Sequence, residues 1–250
     1  MIKPIRSVAL LCSAALTCAA ILGCHKDYEH RLNDTLERMK YQQRLDANLA
    51  AAVEEPLHQP HDVFLRPPIT LEKAAGNVLN ALPGLFDANI SFLESGSDKP
   101  IEAADKVHVF VRHKLPTPAT PKKGAAPPPA LPGLGLRKDV VDDALALFPM
   151  AQTSKMEGPR DIDKRGNKFK QRIFTNTQLG RAWEVYSYIT PKKDYEVVIV
   201  VERADKSSIA EKVNLMLESF AVGDRARKRF GGDLDDSDSG GGEGGGAAVF

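Results

Sequence analysis

The residues with the broadest potential chemistry in this sequence are its six histidines, because imidazole acts as a base, a proton carrier and a metal ligand. His58 and His61 lie three positions apart, as metal-binding pairs often do. Pro60 stands between them and no other ligand cluster is near, so we predict a solvated loop there. His108 and His113 are five positions apart in a strand-like segment, which places them on opposite faces. Those two cannot form one site by themselves.

Established catalytic and cofactor motifs are missing from the sequence. It contains no GxSxG nucleophile elbow, no GxxxxGK[ST] phosphate loop and no GxGxxG that opens a helix. We therefore predict no catalytic residue, no metal and no cofactor, and we lean against an enzyme. A glycosidase-type pair of carboxylates within the fold stays open as an alternative.

A basic strip is the one local feature that could bind a ligand. Lys168, Lys170 and Arg172 alternate along a predicted strand and so share one face. Such a strip could contact lipid headgroups or an acidic glycan. More often such a row is the solvated face of a strand and protects an edge from mispairing.

The N-terminus carries an export signal that ends at a cysteine. Residues 1–23 begin with the basic Lys3 and Arg6, continue with an apolar run too short to span a bilayer, and end at Gly23 before Cys24. This arrangement resembles the lipobox of bacterial lipoproteins. The resemblance implies cleavage before Cys24 and attachment of a diacylglycerol to its thiol.

Lipidation would tether the protein to the cell envelope, facing the periplasm. Cys12 and Cys18 would leave with the signal peptide, so no disulfide can form within the mature chain. His25 follows the cysteine, which favours the outer over the inner membrane. With 34 Lys and Arg against 33 Asp and Glu, the chain is nearly neutral, and we predict no nucleic-acid partner.

Composition divides the remaining chain into four parts. Residues 24–62 hold the lipidated cysteine, an amphipathic helix predicted over 27–53 and a proline-rich linker. An α+β domain follows over 63–223, interrupted by a proline-rich insertion at 115–136. The basic, then acidic and glycine-rich segment 224–250 predicts a disordered tail.

Within the domain, periodicity predicts alternating helices and strands. Helices are expected over 71–82, 137–148 and 206–220, and strands over 88–95, 105–115, 167–178, 180–190 and 195–204. The last of these strands contains the apolar run Val197–Val201, which indicates a central position covered on both faces. Ser207 or Ser208 can cap the final helix.

The order of two strands, a turn, a central strand and an amphipathic helix ending in Ser219-Phe220 resembles the C-terminal half of PsbP/Mog1-like folds. The resemblance covers about 167–222, with some support from 88–115. It implies an antiparallel sheet between helices, an α/β/α sandwich. It also implies an accessory or binding role without catalysis.

We therefore predict a lipid-anchored envelope protein whose domain binds or scaffolds an envelope protein or glycan. Two alternatives stay open. One is an envelope hydrolase acting on a glycan or ester, which needs a serine and a histidine in contact or paired carboxylates. The other is an oligomeric stalk protein that associates through helix 27–53.

Overall fold

A seven-stranded antiparallel sheet is the centre of the fold, in a computed structural model that describes residues 28–75, 78–79, 85–95, 103–113, 139–188, 195–205 and 207–231. The strand order is β2-β3-β4-β8-β7-β6-β5. Its members are β2 (Leu71–Lys73), β3 (Ala88–Glu94), β4 (Lys106–His113), β5 (Lys155–Lys164), β6 (Asn167–Asn176), β7 (Arg181–Tyr188) and β8 (Tyr195–Ala204). A separate two-stranded ladder pairs β1 (Val63–Phe64) with β9 (Ala221–Val222).

The chain divides into two units, Met1–Ala47 and Asn48–Phe250. In the first unit the structure describes residues 28–47, which lie in helix α1 (28–48). Four apolar side chains of α1 are exposed: Tyr28, Leu32, Leu36 and Met39. Among the described residues, no helix combines the length and the apolar content that crossing a membrane requires.

Helices of the second unit cover both faces of the sheet. A helical turn at Glu54–His58 leads into α2 (Gln59–His61), and later helices are α3 (Val140–Leu145), α4 (Pro149–Gln152), α5 (Ile209–Ser219) and α6 (Asp224–Phe230). On one face, α3 and α4 pack on Phe110, Phe174, Trp183, Val185, Val198 and Val200. On the other, Phe220 at the end of α5 packs on the rings of Phe169 and Tyr188. We call these the α3 face and the α5 face.

The predicted fold class is confirmed, because an antiparallel sheet lies between two helical layers. β8 is the fourth of seven strands, and Val197–Val201 is buried on both faces, so its central position is also confirmed. The helix predicted over 206–220 is α5, which begins at Ile209, and the Oγ of Ser207 accepts a hydrogen bond from the Ile209 N–H at 3.2 Å. Helix formation over 137–148 is confirmed in its middle part by α3.

Two expectations were wrong in detail, and one strand was not predicted. Leu71–Lys73 is an edge strand paired with β3 and not the start of a helix, because Leu71 is buried against the sheet. Residues 155–164 form the other edge strand, although Gly158-Pro159 and many charges hide the alternation there. Asp224–Phe230 is a helix and not part of a disordered tail, because Ala226 is buried against β1 and β9.

The second unit begins before residue 63, where the start of the α+β domain was predicted. Residues 48–62 belong to the second unit, where Leu49 pairs with Pro68 and Leu57 is fully buried. Several predictions lie outside the described residues. They are the signal peptide and the lipidation site at Cys24, the insertion 115–136, and the acidic end of the tail.

Candidate functional site

A groove on the α3 face combines apolar walls with charged side chains that are mostly buried. It consists of two adjoining cavities of about 550 and 240 Å³. Both are lined by Lys106, Met150, Trp183 and Glu202, while Arg181 lines the larger cavity and His108 the smaller one. We call this set of six residues the groove. Pockets of such volume with a few placed polar groups are typical of small-molecule sites.

Three charged side chains meet at the floor of the groove. The Nζ of Lys106 lies 3.4 Å from Oε2 of Glu202, and Nη2 of Arg181 lies 3.1 Å from Oε1 of the same carboxylate. Arg181 Nη2 also donates to the carbonyl of Ala104 at 2.8 Å. One carboxylate therefore compensates one of two cations. The groove keeps a net positive charge.

Strand register explains why these side chains meet. Lys106 on β4 pairs with Glu202 on β8, and Glu202 pairs with Trp183 on β7. Paired residues of antiparallel strands point to the same face, so the three form one row across the sheet. Arg181 starts β7 one row further on, and the turn at 177–180 places Leu179 at the rim.

His108 lies one row deeper, on the same face of β4 as Lys106. Its side chain is almost fully buried against the ring of Phe148, with 5.1 Å between the centroids. Its Nδ1 lies 2.8 Å from Oγ of Ser91 on the neighbouring strand. Burial, aided by the positive charge of Lys106, lowers the pKa of His108 to about 3. The ring is therefore neutral at physiological pH.

Two buried nitrogens of the groove have no hydrogen-bond partner among the described residues. They are Nε2 of His108, the ring nitrogen turned away from Ser91, and Nε of Arg181. Buried polar atoms are nearly always satisfied in folded proteins, because leaving one unpaired costs about 1–3 kcal/mol. Two such atoms along one groove indicate a place where a polar group from outside the chain can bind.

The serine and histidine contact that the hydrolase alternative requires is therefore present, but its geometry is poorly suited to acyl transfer. A base with a pKa of about 3 withdraws a proton from a serine hydroxyl only weakly. A catalytic histidine is also oriented by a third group, and the second ring nitrogen of His108 has none in the described part of the chain.

A pair of histidines, His61 and His113, lies at the opposite face of the sheet. Nδ1 of His61 is 2.9 Å from Nε2 of His113, whose ring also packs beside Tyr195 with 4.5 Å between centroids. Burial and the neighbouring His113 lower the pKa of His61. The prediction that His108 and His113 point to opposite faces is thus confirmed, and each has a different partner.

The prediction of a solvated loop around His58 and His61 is wrong, since both side chains are packed. The ring of His58 stacks on Phe230 of α6 with 3.6 Å between centroids. Next to His61, Asp62 accepts two hydrogen bonds from Arg227, at 3.0 and 2.6 Å, and these lower the pKa of Asp62. Within the described ranges, no group of three His, Cys, Asp or Glu side chains is arranged to hold a metal ion.

The predicted basic strip lies on the α3 face of β6, where Lys168 and Lys170 are exposed and Arg172 is half-buried. β6 is paired on both sides, so the strip does not lie on an edge strand. Each basic residue has an acidic neighbour. Lys168 pairs across the sheet with Asp163, Lys170 with Asp161, and Arg172 lies 3.8 Å from Asp142. This charge balance makes the strip a weak site for an anion.

Sequence reasoning singled out His108 but missed the other groove residues, because none of them belongs to a motif. The available signal was the presence of charged residues at the ends of otherwise apolar strands, namely Lys106, Arg181 and Glu202. Each could equally have been a solvated strand end. Only the register brings them together on one face.

Comparisons with known proteins concern the fold. No protein-family model matches the chain, and no match was found among curated proteins. The Ran-binding protein Mog1p of Saccharomyces cerevisiae is similar over 70% of this chain and 95% of that chain, at 14% identity and a TM-score of 0.39. Cyanobacterial PsbP (CyanoP) of Synechocystis is similar over 71% and 94%, at 10% identity and a TM-score of 0.41. A Bacteroides thetaiotaomicron structure is similar over 65% and 45%, at 7% identity and a TM-score of 0.32.

Proposed function

We propose that the protein is a lipid-anchored component of the bacterial cell envelope whose α+β domain binds a ligand or partner and does not catalyse a reaction. The observation that carries the binding role is the groove, where apolar walls surround a cluster of buried, partly unpaired charges. Protein–ligand sites commonly have this composition. The lipobox-like signal ending at Cys24 supports the anchor.

Site-specific photocrosslinking in the native host tests the binding role. A photoreactive amino acid replaces Met150 or Leu179, which are 52% and 48% exposed at the groove. The matched control replaces Met156, which is 53% exposed on the edge strand β5. We expect irradiation to give a discrete adduct from the groove positions and none from Met156. If the groove positions give no adduct, or the same adducts as Met156, the proposed binding role is wrong.

Mass spectrometry of the N-terminal peptide tests the anchor. We expect the protein isolated from its host to begin at Cys24 and to carry a diacylglycerol on the thiol. A Cys24→Ser variant should keep its leader and lose the lipid. A native protein with an unmodified Cys24 would contradict the proposal, and separation of the two membranes would test whether the outer one holds it.

The alternative of an oligomeric stalk is supported by α1. In this alternative α1 associates with α1 of a second copy of the chain. Tyr28, Leu32 and Met39 are exposed at positions that a partial heptad repeat would place at an interface. Light scattering of the protein in detergent tests this idea. Association that is lost in a Leu32→Glu variant supports it, and a monomer at every concentration excludes it.

A further inference from the structure

The groove has polar atoms at two separate positions, and these positions indicate the chemical class of the ligand. The polar end holds Lys106 and Arg181 around one carboxylate, that of Glu202. The separate point is Nε2 of His108, which is buried and has no hydrogen-bond partner within the described ranges. Between them the groove is bounded by Trp183 and Met150.

The net positive charge of the groove indicates that the ligand carries a negative charge. Among the described residues, two cations and one anion line the groove. A carboxylate ligand would accept a hydrogen bond from Nε of Arg181, which has no partner among those residues, and would balance the remaining positive charge. A cationic ligand would face two like charges.

The distance between the polar points selects the shape of the ligand. Along the strand direction the row of His108 lies one same-face step, roughly 7 Å, from the row of Lys106 and Glu202, and two steps, roughly 13 Å, from the row in which Arg181 begins β7. A neutral imidazole with its Nδ1 on a serine hydroxyl can donate or accept at Nε2, since the hydroxyl can rotate. It therefore suits a neutral hydroxyl or carbonyl group.

We propose that the groove binds an amphipathic organic acid, whose carboxylate lies at Lys106 and Arg181, whose apolar body packs on Trp183 and Met150, and whose neutral polar group reaches His108. This inference rests on the proposed binding function and adds the chemical class of the ligand.

Trp183 makes the test direct, because it is the chain's single tryptophan and it lines the groove. The full-length protein is titrated with dodecanoate, 12-hydroxydodecanoate and dodecanol below their aggregation limits, with tryptophan emission and calorimetry as readouts. We expect 12-hydroxydodecanoate to bind most tightly, and dodecanoate to bind at least roughly tenfold more tightly than dodecanol, as the loss of one charge-assisted contact implies.

One variant is expected to bind the ligand more tightly, a result that misfolding cannot produce. Glu202→Gln removes the negative charge at the floor and should tighten dodecanoate binding roughly tenfold while leaving dodecanol unchanged. Lys106→Met should weaken dodecanoate binding by a similar factor. Lys170→Met, which removes the same charge from the exposed strip, should have no effect. His108→Leu should abolish the preference for the hydroxylated acid over dodecanoate.

Distinct failures separate this inference from the proposed function. Equal affinity for dodecanol and dodecanoate would overturn the assignment of an anion while leaving the groove as an apolar binding site. Binding that Glu202→Gln and Lys106→Met leave unchanged would place the ligand elsewhere and overturn the inference. If none of the three compounds binds, the ligand class is wrong, and the photocrosslinking result decides the binding role independently.

Discussion

Acidification should destabilise this fold through one buried imidazole, that of His108. Its ring is 1% exposed, lies beside Phe148 and is 2.8 Å from the Ser91 hydroxyl. Protonation would place a positive charge in this low-dielectric site on the same face as Lys106, which already carries one. The folded state therefore keeps the ring neutral, with a pKa of about 3.

The magnitude follows from the difference between the folded and unfolded states. The unfolded chain binds this proton near pH 6.5, whereas the folded chain does not bind it until about pH 3. The stabilisation is thus fully present above about pH 6.5 and is lost as the pH falls from there toward 3. Each pH unit in that window costs about 1.4 kcal/mol of the free energy of unfolding, which gives about 2 kcal/mol between pH 7 and pH 5.

His61 acts in the same direction, because burial and His113 lower its pKa as well. The parent protein should therefore lose somewhat more than the His108 contribution on acidification. A total loss of this size is a large fraction of the about 5–15 kcal/mol by which domains are stable.

Urea unfolding followed by Trp183 fluorescence at about pH 7 and about pH 5 measures the effect. A His108→Leu variant should be less stable at pH 7, because the Ser91 hydroxyl loses its partner, but its loss between the two pH values should be smaller by about 2 kcal/mol. A His30→Gln variant on the exposed surface of α1 is the control and should lose as much as the parent.

Equal losses in the parent and in His108→Leu would refute this reasoning. Carboxylates elsewhere titrate in both proteins and cancel in the comparison. A refuting result would therefore mean that the ring takes up its proton in the folded protein by about pH 5, as it does in the unfolded chain.

Three further substitutions test other parts of the fold by urea unfolding. Gly158→Ala should cost roughly 2 kcal/mol or more, because φ is +98° there and a Cβ would lie 2.7 Å from the backbone oxygen of Gln171. Asn167→Leu should cost about 2–3 kcal/mol, since its buried amide donates to carbonyls at the C-terminal end of α5 at 3.0 and 2.8 Å. Arg112→Met should cost about 3–5 kcal/mol, because the buried carboxylate of Asp143 loses its 2.7 Å ion pair.

Each of these substitutions has its own control. Gly166→Ala, where φ is +83° but no atom lies within 4 Å of the new Cβ, should cost only about 1 kcal/mol. A similar cost at both glycines would show that contact with Gln171 is unimportant. For Asn167, full stability of the leucine variant would mean that the α5 carbonyls are satisfied elsewhere. For Arg112, an added Asp143→Leu change should recover part of the loss, and no recovery would contradict the argument.

Local periodicity was enough to predict the central part of the fold. The apolar run Val197–Val201 predicted a strand covered on both faces, and β8 is the central strand of the sheet. The stripe of Ile209, Val213 and Met216 predicted α5, whose members are buried on the sheet. Such patterns succeed because a long element with one buried face repeats its apolar residues at the period of its own backbone.

The edges and appendages of the fold were predicted less well. Leu71–Lys73 pairs with β3, and the partly polar Lys155–Lys164 pairs with β6, so both are strands because a neighbour supplies backbone partners. Asp224–Phe230 is ordered by contacts of Ala226 and Phe230 with β1 and β9. In all three segments the deciding interactions come from another element of the fold, and local composition did not indicate the observed state.

The sequence by itself determined the near-neutral charge and the order of the main strands and helices, because each follows from composition or from local periodicity. The export signal before Cys24 stays a prediction. Only the tertiary structure decided where a ligand could bind. Lys106, Arg181 and Glu202 come from three strands, and it is the antiparallel register that places them on one face around a shared carboxylate. The same register leaves His108 buried beside Ser91, with one ring nitrogen that has no partner in the part of the chain that the structure describes. This state depends on neighbours that the local sequence does not contain.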